Sequence, residues 1–259
     1  MSKVLLLEQQ GSAAVLTLNR TEKRNALSAD LLTSIDEALD FVDTEPTVRG
    51  AILTGGENMF SSGADLKEAL AVTSMAETVR FLDNFRRTND RLESLSKPVI
   101  AAINGYCLTG GLELALCCDF RIAGGDAKFG ITSARIGSLA GAGAPQRMAR
   151  LIGSPWTKDL LFSGRIIDAD MALRIGLVNE VVDPDQALKS AIQRIEQYSL
   201  CAPMSVSFAK LAVNRGLQMD ISSALAFDRS LTASLFTTED RQEGMTAFFE
   251  KRPPHFKGS

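Results

Sequence analysis

Residues 105–118 read Gly105-Tyr106-Cys107-Leu108-Thr109-Gly110-Gly111-Leu112-Glu113-Leu114-Ala115-Leu116-Cys117-Cys118. Its paired glycines let the backbone bend with no side chain in the way. The helix expected to begin there points unsatisfied backbone N–H groups and a positive dipole end into the bend, a generic way to stabilise an anion. Glu113 follows on the first turn, among Leu112, Leu114 and Leu116. A carboxyl group desolvated in that setting has its pKa pushed up, which suits an acid–base catalyst. A carboxylate on a solvated helix face, favoured by the dipole, fits the same pattern, and the local sequence leaves both open.

Phe60-Ser61-Ser62-Gly63-Ala64-Asp65-Leu66-Lys67 is a second strand-end loop leading into a helix. It offers another backbone N–H, and two such groups from separate loops make an oxyanion hole for a thioester carbonyl. Read alone, it is equally a plain glycine turn capped by Asp65.

Other chemistries fall away. The chain of 259 residues has one histidine, His255, near its C-terminus. That removes the HExxH zinc site, the histidine-rich metal cage and most histidine-based triads, so no metal is expected and acid–base work falls to carboxylates. Gly141-Ala142-Gly143-Ala144-Pro145-Gln146 begins like a dinucleotide fingerprint but has Gln where the third Gly belongs. Neither a GxxxxGK[ST] loop nor a G-x-S-x-G elbow occurs. The four cysteines (Cys107, Cys117, Cys118, Cys201) form no CxxC pair, and two lie adjacent in an apolar run. Buried, reduced thiols and a reducing cytosol are the expectation, hence a cytoplasmic protein. Acidic residues outnumber basic ones 31 to 28 with no Lys/Arg-rich run, which lacks the basic footprint a nucleic-acid partner requires. No apolar run approaches the ~18 residues of a membrane span. Met1-Ser2-Lys3 is followed by too short an apolar stretch for a signal peptide.

Elements must position these residues. At roughly one domain per 150 residues, the length fits one large domain with at most a small appendage. Val4–Leu7 and Ala13–Asn19 read as a hairpin turning at Gly11-Ser12. A helix follows Ser28, with Leu31, Ile35, Ala38, Leu39 and Val42 as its apolar stripe. A second opens with a capping box at Ser74 and Glu77, runs through Val79, Leu82 and Leu92, and stops at Lys97-Pro98. Between and after these helices a short apolar strand ending in a glycine turn recurs: residues 51–56, 99–105 and 120–125. Such strands are expected where both sheet faces are covered, and their alternation with helices argues an α/β fold. From Ala144 onward helices crowd together: one opening with Pro145 and stopped by Gly153, one from Ser154-Pro155, one capped by Asp168 and ended by Gly176. The spacing then predicts a strand over 177–182 and helices over 186–198, 205–214, 222–236 and 240–250. No linker separates this helical section, so it is expected to dock on the α/β body.

Taken together the chain resembles the enoyl-CoA hydratase/isomerase (crotonase) superfamily. The resemblance rests on Asn19-Arg20 with Lys23-Arg24-Asn25-Ala26-Leu27, on Ser62 to Lys67, on Lys97 to Ala102 and on Gly105 to Asp119. It continues through Gly141-Ala142-Gly143 with Gln146-Arg147, and ends at Asp240 to Met245 with Ala247-Phe248. It implies a spiral core of ββα units over residues 1–199 and a helical C-terminal region over 200–259 that builds trimers, often paired as hexamers. It implies an acyl-CoA substrate whose carbonyl oxygen is held by the N–H groups of Ala64 and Gly110, with no cofactor beyond the coenzyme A of the substrate. Glu113 would be the acid–base residue. Coenzyme A would lie along Ala64, Asp65, Leu66 and Lys67, near Lys23, Arg24, Ala26 and Ser62, with Lys251 reaching it from the helical part or a neighbouring subunit.

The departures from that pattern matter more. Hydratases of the family carry a second glutamate in a Phe-Gly-x-Pro-Glu stretch, which here reads Phe129-Gly130-Ile131-Thr132-Ser133. Ser133 is no strong proton donor at neutral pH, so Glu113 alone would activate water and return its proton, with Ser133 orienting a water or a polar substrate group. Enoyl-CoA hydration is the leading reading. Enoyl-CoA isomerisation or another crotonase reaction such as decarboxylation is the alternative, and a catalytically silent acyl-CoA-binding protein is the reading of another class.

Overall fold

The computed structural model describes residues 4–259; the Met1-Ser2-Lys3 segment weighed above as a leader lies outside them. Strands β1 (Leu5–Gln10) and β2 (Ala13–Leu18) form the expected antiparallel hairpin, turning at Gly11. Helix α1 (Ala29–Thr44) starts where the Ser28 side chain accepts the Leu31 N–H, and its whole expected stripe is buried.

Three strand–strand–helix turns then stack. In each, the first strand joins one sheet and the second joins another. Strands β3 (Gly50–Thr54), β5 (Val99–Ile103) and β7 (Phe120–Gly124) extend the hairpin in parallel, and β10 (Glu180–Val182) closes that sheet's far edge. Strands β4 (Met59–Ser61), β6 (Tyr106–Leu108) and β8 (Lys128–Gly130) run parallel in the second sheet, which ends in the antiparallel β9 (Ile166–Asp168). The result is the spiral of ββα units that the resemblance implies.

Alternation along the first sheet explains why its inner strands are almost wholly apolar. Leu16, Leu53, Ala101 and Ala123 face the main core shared with α1. Val15, Ile52, Ile100 and Ile122 face the other way, onto Ala187, Ala191 and Ile195 of α8 (Ala187–Ser199). With both faces covered, a polar side chain is admitted only where it is bonded, as Arg121 of β7 is to the Leu177 and Cys118 carbonyls.

Helices α2 (Leu66–Ala71) and α3 (Met75–Ser94) follow β4, and α4 (Gly110–Ala115) follows β6. After β8 come a 3-10 turn at Ser133–Ile136, then α5 (Ala144–Leu151) and α6 (Gly153–Ser163). Helix α7 (Ala169–Arg174) is capped by Asp168. The last three are α9 (Pro203–Gly216), α10 (Ile221–Leu235) and α11 (Glu239–Glu250).

Four expectations need correction. The capping box of α3 is present, but Val79 is 51% and Leu82 41% exposed. The second half of that helix bonds α1, through Arg87 with Asp36, Thr88 with the Leu32 carbonyl and Arg91 with Asp40, while in the first half Phe81 packs on the core and Val79 and Leu82 face outward. The strand over 177–182 begins only at Glu180, because the N–H groups of Leu177 and Val178 are spent on the Ala172 carbonyl instead of on β7. Gly153, at φ +77°, stops α5 as expected, but α6 already opens at Gly153, one residue before Ser154. Cys201 is exposed, whereas Cys107, Cys117 and Cys118 are buried as free thiols.

Among the described residues no helix is long and apolar enough to cross a membrane, and no group of three or more His, Cys, Asp or Glu converges as metal ligands would.

Candidate active site

Three adjacent parallel strands of the second sheet, β4, β6 and β8, end side by side. Their carboxyl ends carry the three segments singled out in the sequence: Ser62 to Lys67, Thr109 to Glu113, and Thr132-Ser133. That is where an α/β sheet most readily receives a ligand, because the chain leaves the ladder there with amides unspent.

The first two turns touch through glycine. Gly63 has φ +103°, and a Cβ on it would lie 3.1 Å from the Gly110 nitrogen. A Cβ on Gly110 would in turn lie 3.1 Å from the Ala64 nitrogen, so the two backbones carrying the candidate oxyanion donors pack against each other. Gly111 is tighter: a Cβ there would come within 2.6 Å of the Ser61 Cβ and 2.8 Å of its carbonyl oxygen. The loop of Ala64 is fixed from the side by Leu27, whose N–H donates to the Gly63 carbonyl and whose carbonyl accepts from Asp65. The Ala64 amide is not used in either bond.

Residues 20–27 brace that loop. Asn25 is fully buried, its amide donates to the carbonyls of Gly55 and Met59, and its Oδ1 accepts from the Arg20 N–H. Arg20 pairs with Asp65 at 3.0 Å. Asp65 also caps α2 by accepting the Lys67 N–H. Burial pushes the Asp65 carboxyl up, but the Arg20 and Lys67 donors outweigh it and hold the group below its ordinary range. The Ser62 N–H donates to the Arg24 carbonyl, which brings Lys23, Arg24 and Ala26 beside Ser62 to Asp65. Lys23, Arg24 and Lys67 are exposed. Lys251 ends α11 with φ +55° and makes no hydrogen bond or ion pair to this loop. The sequence reading named Asp65 but missed the Arg20 and Asn25 bracing. The Arg-Asn pair in a polar stretch before a helix is the signal available for it, since Asn tolerates the left-handed conformation Asn25 adopts.

Glu113 sits on the first turn of α4 and is 4% exposed. Its Oε1 accepts from the Ala142 N–H at 2.8 Å and the Ala144 N–H at 3.0 Å, at the start of α5. Burial pushes the carboxyl up to about 6, against the N–H donors of Ala144 and Ala142 and the Arg147 charge, which pull it down. The solvated-face alternative does not hold. The segment that clamps Glu113 is itself held: the Ala142 carbonyl accepts from Asn89 Nδ2 at 2.9 Å and Arg147 Nη1 at 3.1 Å, and Arg147 continues to Glu93 at 2.8 Å.

Thr109 precedes the Gly110 amide with φ +44°, which is strained for a β-branched residue and costs roughly 1–3 kcal/mol. Three bonds hold it there. Its N–H donates to the Gly130 carbonyl at 2.8 Å, its Oγ1 accepts the Thr132 N–H at 3.1 Å, and the two hydroxyls meet at 3.0 Å. At about 0.5–1.5 kcal/mol each, such bonds offset the strain. Ser133, next to Thr132, is buried at 5% exposure and begins the 3-10 turn, with its carbonyl accepting from Ser138.

Comparison with known proteins agrees with this architecture. The sequence model described as enoyl-CoA hydratase/isomerase matches residues 8–259. The chain is 42% identical to the short-chain-enoyl-CoA hydratase of Clostridium acetobutylicum, covering 96% of this chain and 95% of that one. It is 40% identical to the crotonyl-CoA hydratase of Syntrophomonas wolfei, covering 97% of each. A crystal structure of enoyl-CoA hydratase from Bacillus anthracis superposes with a TM-score of 0.94 at 38% identity, covering 99% of this chain and 100% of that one. The stacked ββα turns are thus the crotonase fold, and the chain belongs to the enoyl-CoA hydratase/isomerase family of the crotonase superfamily.

Proposed function

We propose that this protein hydrates short 2-enoyl-CoA thioesters, with Glu113 as its one acid–base carboxylate and the amides of Ala64 and Gly110 as the oxyanion hole. The observation that carries the reading is a buried carboxyl raised to about 6, one helical turn beyond Gly110, where Gly110 backs onto Gly63-Ala64. A carboxyl of that pKa is mostly ionised at neutral pH yet still returns a proton readily. The names of the two hydratase relatives support the short acyl chain.

Hydration balances with this set. Ionised Glu113 takes a proton from water as the water oxygen bonds to C3. The C2–C3 π pair moves toward the carbonyl, and the thioester oxygen becomes an enolate oxyanion held by the Ala64 and Gly110 N–H groups. The enolate then collapses and C2 takes the proton from Glu113, which regenerates the carboxylate. Ser133 supplies a hydroxyl that orients the water. Coenzyme A runs along Ala64 to Leu66, its phosphates near Lys67, Lys23 and Arg24, with Ala26 and Ser62 lining its path. Lys251 reaches it from a neighbouring subunit. The neighbour is a second copy: α9, α10 and the turn between them carry Val213, Leu217, Ile221 and Leu225, all at least 60% exposed, and α11 carries Phe248 and Phe249 at 79% and 75%. Those faces support a trimer, alone or paired as a hexamer.

Loss of crotonyl-CoA absorbance tests the reading. Glu113→Gln keeps shape and loses the titrating proton, so kcat should fall by at least roughly 10²-fold while acyl-CoA affinity stays unchanged. Turnover retained in Glu113→Gln would overturn it. The serine at position 133 favours one second reading, since a single carboxylate suffices to move a proton between C2 and C4. A 3-enoyl-CoA offered in the same assay separates isomerisation from hydration by the product formed.

A further inference from the structure

The Thr109 hydroxyl is turned away from the helix it precedes. A threonine at that position ordinarily accepts an N–H from the first turn. Here no side-chain cap is made, and the hydroxyl goes to Thr132 on the turn after β8. A capping hydroxyl would reach the Gly111 or Leu112 N–H and tie Thr109 to its own helix. Diverted to Thr132, it ties Thr109 to the neighbouring turn instead, and holds a β-branched residue at φ +44° immediately before Gly110. Because a Cβ on Gly63 would lie only 3.1 Å from the Gly110 nitrogen, and one on Gly110 only 3.1 Å from the Ala64 nitrogen, the two turns leave no slack, and a small rotation at Thr109 changes the angle between the Gly110 and Ala64 amides. Thr132 also adjoins Ser133. The same bonds therefore couple the turn bearing Gly110 to the turn bearing the hydroxyl assigned to water.

The geometry points to Thr109 and Thr132 as a positioning pair whose hydroxyl bond aims the Gly110 amide at the thioester oxygen. This rests on the oxyanion-hole reading above. Neither threonine touches the reacting atoms. They act on the transition state through Gly110, so their loss lowers kcat with little change in KM.

The test uses the full-length protein. Thr109→Val keeps the shape and β-branch but removes both side-chain bonds, and kcat for crotonyl-CoA hydration should fall roughly 10- to 10²-fold, with KM within about twofold. Thr132→Val leaves the Thr109 backbone untouched and should show the same split at smaller size, which keeps the test open if Thr109→Val fails to fold. Thr109→Ser retains the hydroxyl and should return most of the lost kcat. The carbonyl stretch of bound, 13C-labelled butyryl-CoA reports the oxyanion hole directly. It should drop on binding to wild type and drop less in Thr109→Val. Unchanged kcat and carbonyl shift in both valine variants would overturn the proposal. So would a parallel loss of kcat, KM and Tm that serine does not rescue, which marks a fold effect only. No carbonyl shift in the wild type would instead remove the oxyanion hole itself, and the proposal with it.

Discussion

Glu113 carries an electrostatic cost that titrates. Its carboxyl is raised from 4.5 to about 6 in the folded chain, so the native state binds the proton more tightly than the unfolded chain does. Stability therefore falls as pH rises from about 4.5 through 6, and above that the ionised group weighs on the fold by about 2 kcal/mol. Glu113→Gln should accordingly be more stable than wild type at pH 8 in urea denaturation, with the gain vanishing near pH 4. A difference independent of pH would show that the carboxyl is not desolvated. The same group sets the rate. With Ser133 in place of a second carboxylate, kcat for hydration should rise with pH through a single ionisation near 6 and then stay level, and a second acidic limb would reveal another carboxylate. The leucines around Glu113 fitted a buried and a solvated carboxylate alike, and its burial shows only in the fold. Its partners were not legible either, because the donors are main-chain N–H groups of two alanines, 29 and 31 residues further on. No side-chain type announces a backbone donor.

The elements locate the site by their ends. Strands β4, β6 and β8 were only partly legible: three residues each are too few for a period, and the glycine turns after the first-sheet strands were the stronger mark. The recurring apolar strands and the α1 stripe were legible because covered sheets and helix faces write a plain pattern. The exposure of Val79 and Leu82 on α3 was not, since the 3.6 period says which face is apolar but not how far the neighbouring helix extends. What brings strand ends together is the absence of side chains at Gly63 and Gly111. Gly111→Ala would put a Cβ 2.8 Å from the Ser61 carbonyl oxygen, and backbone cannot swing away. Overpacking of that kind costs about 1–3 kcal/mol. The variant should lower Tm by several degrees and reduce hydration together, since the Ala64 and Gly110 turns must part. An alanine tolerated with full activity would mean that the two turns do not need this close approach.

At the scale of the molecule, the last three helices leave much apolar surface uncovered. Helix α9 is tied to the body by Lys210, which bonds Asp119 at 2.8 Å and reaches the Leu92 and Lys97 carbonyls, and by Asn214 on the Glu93 carbonyl. Helix α11 is stitched mainly to its own tail, through Asp240 with Lys257 and Gly258 and through Arg252 with Glu243. These are polar attachments, while the apolar side chains remain outside. Ile221 and Leu225 lie one turn apart on α10, 73% and 60% exposed, and Leu217 just before them is 75% exposed. Burying side chains of this kind is worth about 1.5–3 kcal/mol each, which the proposed second copy would supply. Sedimentation at micromolar concentration should therefore give the mass of three chains or six, with a Tm that rises with protein concentration. Ile221→Asp combined with Leu225→Asp should yield monomers of lower, concentration-independent Tm, because each new carboxylate would be desolvated without a partner at the interface. The apolar side chains exposed on α2 and α3, among them Leu70 and Met75, provide the contrast. Helix α2 continues directly from the proposed coenzyme A loop Ala64 to Lys67, so Leu70→Asp should alter acyl-CoA affinity and leave the mass unchanged. A trimer that survives the α10 substitutions but dissolves with Leu70→Asp would move the interface to the other end of the molecule.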